Sequence, residues 1–143
     1  MDRTLFYPEG GGQLGDQGYF RKDESKVISV LDTKIEDGVI IHFTNGFLSN
    51  GDVNAEVDNI RRRQLMDHHT AVHIVGGAAR DILGPHIRQA GSNKGQRYAR
   101  IDLTHHSRMS RDLLDKIEDR ANEIVQSNPV VEKIILDLSL IHI

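Results

Sequence analysis

The stretch Asp67-His68-His69-Thr70-Ala71-Val72-His73 decides how the rest of the chain is read. His69 and His73 are four residues apart, so on a helix they stand one above the other on a single face. Two imidazoles at that spacing can face one metal ion. His68 points about 100° round the helix and is read as a surface neighbour. Arg61-Arg62-Arg63 precedes the stretch and Gly76-Gly77 follows it. Asp58 is a suitable N-cap. The helical pattern runs from Asn59 to Leu83, with Ile60, Val72, Val75, Ala79 and Ile82 as its apolar stripe. His69, His73, Gly76, Gly77 and Arg80 share another face, and Gly84-Pro85 ends the helix.

Upstream, residues 19–58 predict short strands. Val27–Leu31 and Gly38–Phe43 are β-branched runs joined by Glu36-Asp37-Gly38, a hairpin signal, and a further strand is expected from Val53 to Val57. Residues 1–58 are expected to form a partial, barrel-like β region that begins inside a strand and carries the loop Gly10-Gly11-Gly12-Gln13. No Gly-Lys-Ser/Thr follows that loop, which excludes a nucleotide P-loop. Downstream, Pro85–Ser92 is a candidate strand, Gly91–Gly95 a turn and Arg97–Thr104 an alternating strand. Ser110 caps a second helix reaching Ser127, with an apolar stripe of Leu113, Leu114, Ile117, Ala121, Ile124 and Val125. Val130–Leu136 reads as a strand. The predicted class is α+β: a small glycine-loop β part, then from residue 59 to 143 a two-layer α/β sandwich with helices on one face of a sheet.

The chain has 143 residues, no Cys and a formal net charge of −3. A disulfide framework and thiolate ligands are thereby excluded. No apolar run is long enough for a membrane span, and no signal region opens the chain, so a cytoplasmic location is the expectation. The charge is unevenly spread. Residues 1–58 carry five basic and eleven acidic groups; residues 59–111 carry ten basic and three acidic; residues 112–143 carry three basic and seven acidic. The basic band coincides with the two-histidine stretch and suits a phosphate-bearing partner. Thr70 stands where a His-Glu-x-x-His zinc proteinase has its general base, which argues against that class. His86, His105 and His106 lack ligand spacing in the sequence and are expected to be structural or surface groups; His42 is expected on a strand face.

Five segments match one pattern in order: Phe6–Gln13 with Asp16 and Gly18; Arg61-Arg62; His69–His73; Gln89-Ala90-Gly91-Ser92; and Arg100–His105. Together they resemble the editing region of alanyl-tRNA synthetases, in its archaeal wording, and of free-standing alanyl-tRNA editing proteins. The resemblance covers nearly the whole chain. It implies hydrolysis of tRNA-Ala wrongly charged with serine or glycine. An alanine pocket rejects a smaller or hydroxyl-bearing analogue poorly, so a second sieve is required. It further implies zinc, with His69 and His73 as two ligands, and the acceptor end of tRNA-Ala as partner. Gln89 and Thr70 are the candidate catalytic residues. Gly10, Gly11, Gly12 and Gln13 are expected to support the pocket and the tRNA end, and Arg61, Arg62 and Arg63 to contact phosphate. The family's Cys-x-x-x-His ligands have no counterpart here, since the chain lacks Cys. The closing residues Leu138–Ile143 resemble a translated sequencing-adapter end, and a gene fragment truncated at both ends is expected. The alternatives are a non-catalytic tRNA-binding module and a threonyl-type editing domain. Oligomeric state is not legible.

Overall fold

A computed structural model describes residues 3–23 and 26–131. Four strands come first: β1 Gly18–Asp23, β2 Lys26–Glu36, β3 Val39–Thr44 and β4 Asn54–Val57. They form one antiparallel sheet in the order β3-β2-β1-β4. Among the described residues its edge strands β3 and β4 do not pair with each other, so the sheet is open where a barrel-like closure was expected. Residues 3–8, read as part of a strand, lie outside any strand. The β2–β3 hairpin forms where the sequence signals it. Glu36 pairs with Val39, and Asp37 and Gly38 take φ of 49° and 80°, the positive values that a two-residue type I′ turn needs. Phe6, Phe20 and Val30 form the buried core here, ringed by Leu48, Val53, Ala55 and Val57. His42 stands edge-on to Phe6 and Phe20, and Thr4 Oγ1 bonds its Nε2 at 2.7 Å.

α1 spans Asn59–Leu83, as its caps predict: Asp58 accepts from the Arg61 N–H at 2.9 Å. Its apolar stripe differs from the expected one. Arg61, Leu65, Val72, Ala78 and Ala79 are buried, whereas Ile60 is 75% exposed and Ile82 39%. The seven-residue steps from Leu65 to Val72 to Ala79 keep the buried line on one side of the helix. Ile60 and Ile82 both lie roughly 80–120° round the helix from it, on the same side. β5 Gln89–Lys94 and β6 Ala99–Leu103 form an antiparallel ribbon against α1. The expected turn at Gly91–Gly95 is therefore a strand, and the reversal comes later, closed by Gly95 N–H to Tyr98 C=O at 3.0 Å. α2 Arg111–Gln126 is capped by Ser110 and packs on α1. Its Ile117 and Ala121 join Ala78, Ala79 and Ile87 in a second core, while Leu114 and Val125 stay exposed. Among the described residues, two antiparallel sheets and two helices give the α+β class. Val130 and Val131 are exposed and outside any strand; the rest of the expected Val130–Leu136 strand lies outside the described residues.

The segment from Leu5 to Gln17 joins these layers. Gly10 and Gln13 exchange backbone hydrogen bonds of 3.1 and 2.9 Å across Gly11 and Gly12, whose φ values are 58° and 76°. The turn then docks on β5: Lys94 N–H donates to Gly12 C=O at 2.7 Å, and Leu14 N–H to Lys94 C=O at 3.3 Å. A Cβ on Gly12 would stand 2.5 Å from the Ser92 carbonyl oxygen, so only glycine fits there. Gly76 meets Ile101 of β6, whereas a Cβ on Gly77 would meet nothing within 4 Å. Two substitutions should therefore move stability in opposite directions. In urea titrations Gly12→Ala is expected to lower the unfolding free energy by at least ~1 kcal/mol, while Gly77→Ala raises it by up to ~1 kcal/mol through helix propensity.

Candidate active site at the glycine turn and α1

His69 and His73 stack face to face on α1, with ring centroids 5.2 Å apart and planes 17° off parallel. The glycine turn brings Gln13 beside them. Gln13 is buried, and its Oε1 accepts from His69 Nδ1 at 2.8 Å. An amide oxygen only accepts, so the ring proton sits on Nδ1 and the lone pair on Nε2. His69 has its pKa lowered from the ordinary 6.5, first by desolvation, then by the charges of Lys94 and His73. At neutral pH it is an uncharged imidazole with a fixed tautomer, as a metal ligand or proton acceptor must be.

A cavity of about 750 Å³ opens beside the pair. Leu5, Phe6, Tyr7 and Pro8 contribute a largely apolar wall; Gln13, His69, Thr70 and His73 line it as well. Its size and mixed lining suit a small organic group. His73 also borders a second hollow of about 300 Å³, with Arg80, Arg88 and Gln89. The two candidate catalytic residues thus lie apart. Thr70 lines the first cavity and its hydroxyl donates back to Met66 C=O at 3.2 Å; Gln89 lines the second, its Nε2 donating to Ser92 Oγ at 3.0 Å.

The arginine triplet divides in three. Arg61 is 7% exposed, and its guanidinium donates to Gly15 C=O and Gln96 Oε1, each at 3.2 Å. Arg62 pairs with the buried Asp16 and donates to Leu5 C=O at 2.6 Å. Asp16 in turn accepts from Tyr7 N–H at 2.6 Å. Both arginines hold the segment before β1 onto α1; Arg61 is buried there, while Arg62 is 30% exposed and also lines the cavity. Arg63 is exposed and pairs with Asp67 at 3.0 Å along the helix. His68, read as a surface neighbour, is half-buried and its Nδ1–H donates to Gly95 C=O at 2.6 Å.

Lys94 is the residue that sequence reading missed. It is 1% exposed, and its Nζ donates to Gly11 C=O at 2.5 Å and Ser92 Oγ at 2.6 Å. Among the described residues it makes no ion pair with a carboxylate. Reading Gly91–Gly95 as a turn hid it. Reading a strand instead puts Ser92 and Lys94, two apart, on one face.

The zinc implied by the resemblance finds a suitable but partial donor set. His69 and His73 are right in kind. Among the described residues, however, the pair belongs to no group of three or more His, Asp or Glu ligands. Zinc centres take three or four protein ligands, so the described residues supply half a site.

The profile of the class II tRNA synthetases (A) matches residues 1–61. Beyond it, the chain is 48% identical over 133 residues to an alanine–tRNA ligase of Halobacterium salinarum, covering 92% of the chain and 14% of that protein. It is 45% identical over 128 residues to an alanine–tRNA ligase of Metallosphaera sedula, covering 87% of the chain and 14% of the relative. A Sulfurisphaera tokodaii alanine–tRNA ligase is 39% identical over 140 residues, which is 96% of the chain and 16% of that protein. The chain thus spans about one seventh of the length of the relatives it matches. The order of motifs from the glycine turn to the Arg100–His105 segment and this level of identity agree: by sequence the chain belongs to the alanyl-tRNA synthetase family, of which it represents one stretch.

Proposed function

We propose that this stretch serves the editing of mischarged tRNA-Ala, by hydrolysis of the ester of Ser-tRNA-Ala or Gly-tRNA-Ala within an alanyl-tRNA synthetase. The observation that carries the reading is the His69–His73 pair lining the 750 Å³ cavity, with the His69 tautomer set by Gln13 and its pKa lowered by desolvation and by the charges of Lys94 and His73. The aminoacyl group enters this cavity. Leu5 to Pro8 limit water on one side, and the polar groups of Gln13 and Thr70 receive the serine hydroxyl. Alanine would leave those groups unpaired, which disfavours its binding.

In the reaction, water adds to the ester carbonyl carbon. The bond to the terminal ribose oxygen breaks, and that oxygen takes up the proton that the water gave up. Zinc in the parent protein would take His69 and His73 as two of its ligands and supply polarisation of the carbonyl or the water. Gln13 fixes the His69 tautomer for that role, and the Lys94 charge helps keep the ring neutral. The tRNA strand follows the exposed cations: Arg63 on α1, and Arg80 and Arg88 at the hollow that His73 shares with Gln89.

Full-length archaeal alanine–tRNA ligase carrying this stretch provides the test. His73→Ala and His69→Ala are each expected to slow Ser-tRNA-Ala deacylation by ~100-fold or more while alanine charging is unchanged. Wild-type deacylation rates in either variant would refute the reading and favour a tRNA-binding module. The titration of His69 carries a sign. A protonated imidazole has no lone pair to give a metal, and His69's pKa is lowered, so in the metal-free chain the ring is expected to take up its proton only below pH 6.5, read by NMR of its ring protons. A midpoint above 6.5 would contradict the assignment.

A further inference from the structure

Three histidines that the sequence scatters come together at the far end of α1. His86 lies in the turn that follows the helix; His105 and His106 follow β6. His86 Nε2 and His105 Nδ1 are 3.1 Å apart. The His105 and His106 ring centroids are 4.6 Å apart, and those of His86 and His106 are 5.7 Å apart. One ring nitrogen from each lies within 4.8 Å of the other two. From His73 to the helix end at Leu83 the axis runs ~15 Å, so this cluster is separate from the His69–His73 pair.

We propose that His86, His105 and His106 form a surface site for one divalent transition-metal ion of the zinc class, with its fourth position open to water or to a donor from outside the chain. Two nitrogens bound to one ion at 2.0–2.1 Å in tetrahedral geometry stand roughly 3.3 Å apart. The His86–His105 pair is already at that separation, and rotation of the exposed His106 ring brings in the third nitrogen.

The backbone beneath the cluster ties together the two segments that carry the rings. Thr104 Oγ1 donates to His86 C=O at 3.0 Å and accepts from Arg88 N–H at 2.9 Å, while Thr104 N–H donates to Arg88 C=O at 2.9 Å. Those bonds fix the register of the His86 segment against the His105 segment before any ligand arrives. Ile87, 2% exposed, anchors the turn in the second core. Ser107 Oγ stands 3.3 Å from His105 Nε2 and can accept its N–H, which leaves the Nδ1 lone pair facing His86. A hydrogen-bonded partner on the non-ligating nitrogen is the usual arrangement at a metal-bound histidine. Three imidazoles with no carboxylate suit zinc, nickel or copper(II) and disfavour calcium and magnesium, which take oxygen ligands.

The test uses the 143-residue chain, stripped with chelator, desalted and titrated with Co(II) and with Zn(II) at pH 7.5. Calorimetry reports stoichiometry, and the visible d–d bands of Co(II) report coordination. One equivalent is expected to bind with nitrogen-rich, low-coordinate Co(II) bands in the wild type and equally in a His69→Ala/His73→Ala variant. His86→Ala and His106→Ala remove exposed rings, and circular dichroism should show both folded. Each is expected to weaken that equivalent by at least ~10-fold. Binding unchanged in both variants, binding lost only with His69 and His73, or no uptake of either metal by the folded wild type would each overturn the proposal.

Discussion

The buried amine of Lys94 is the constraint on which the arrangement depends. A charge taken out of water costs several kcal/mol unless polar groups surround it. Here the Gly11 carbonyl and the Ser92 hydroxyl do so, and the Gly11 carbonyl is available only because Gly11 and Gly12 take positive φ. The same contact pins the glycine turn to β5. It places Gln13 against His69 and puts a positive charge near that ring. Removing the side chain at position 94 therefore acts on packing, turn geometry and imidazole protonation together.

Around this point the two layers are held by polar contacts, with separate apolar cores on either side. Phe6, Phe20 and Val30 fill one core; Ala78, Ala79, Ile87, Ile117 and Ala121 fill the other. Between them Arg61 reaches Gly15, Arg62 reaches Asp16 and Leu5, and Asp58 N–H reaches Gln17 C=O. Hydrogen bonds depend on direction where apolar contacts do not, so this seam sets the wall Leu5–Pro8 at a defined distance from α1. The cavity beside His69 and His73 is the space left between them. Arginines that composition alone assigns to phosphate are thereby used in building the site.

Local chemistry was legible wherever the signal is local. Asp58 and Ser110 marked both helix starts, and Asp37-Gly38 marked the hairpin, because caps and type I′ turns need particular residues at particular positions. The reading failed where neighbours distant in sequence decide. Gly91–Gly95 has the composition of a turn, yet β6 and the glycine turn supply it with partners on both sides and draw it into a strand. Ile60 and Ile82 are apolar but exposed, because what covers a helix face is set by the elements that dock on it.

By itself, the sequence determined the α+β class, the span of both helices, the pairing of His69 with His73 on one helix face, and the family. These follow from short-range periodicity, capping and ordered motifs. Only the tertiary structure decided that Lys94 is buried under the glycine turn and that Arg61 and Arg62 are tied down. It alone separated Thr70 from Gln89 and gathered His86, His105 and His106. The physical reason is common to all four. Each depends on which strand or turn lies against which helix, and helical or strand spacing along the chain carries no record of contacts between residues far apart in it.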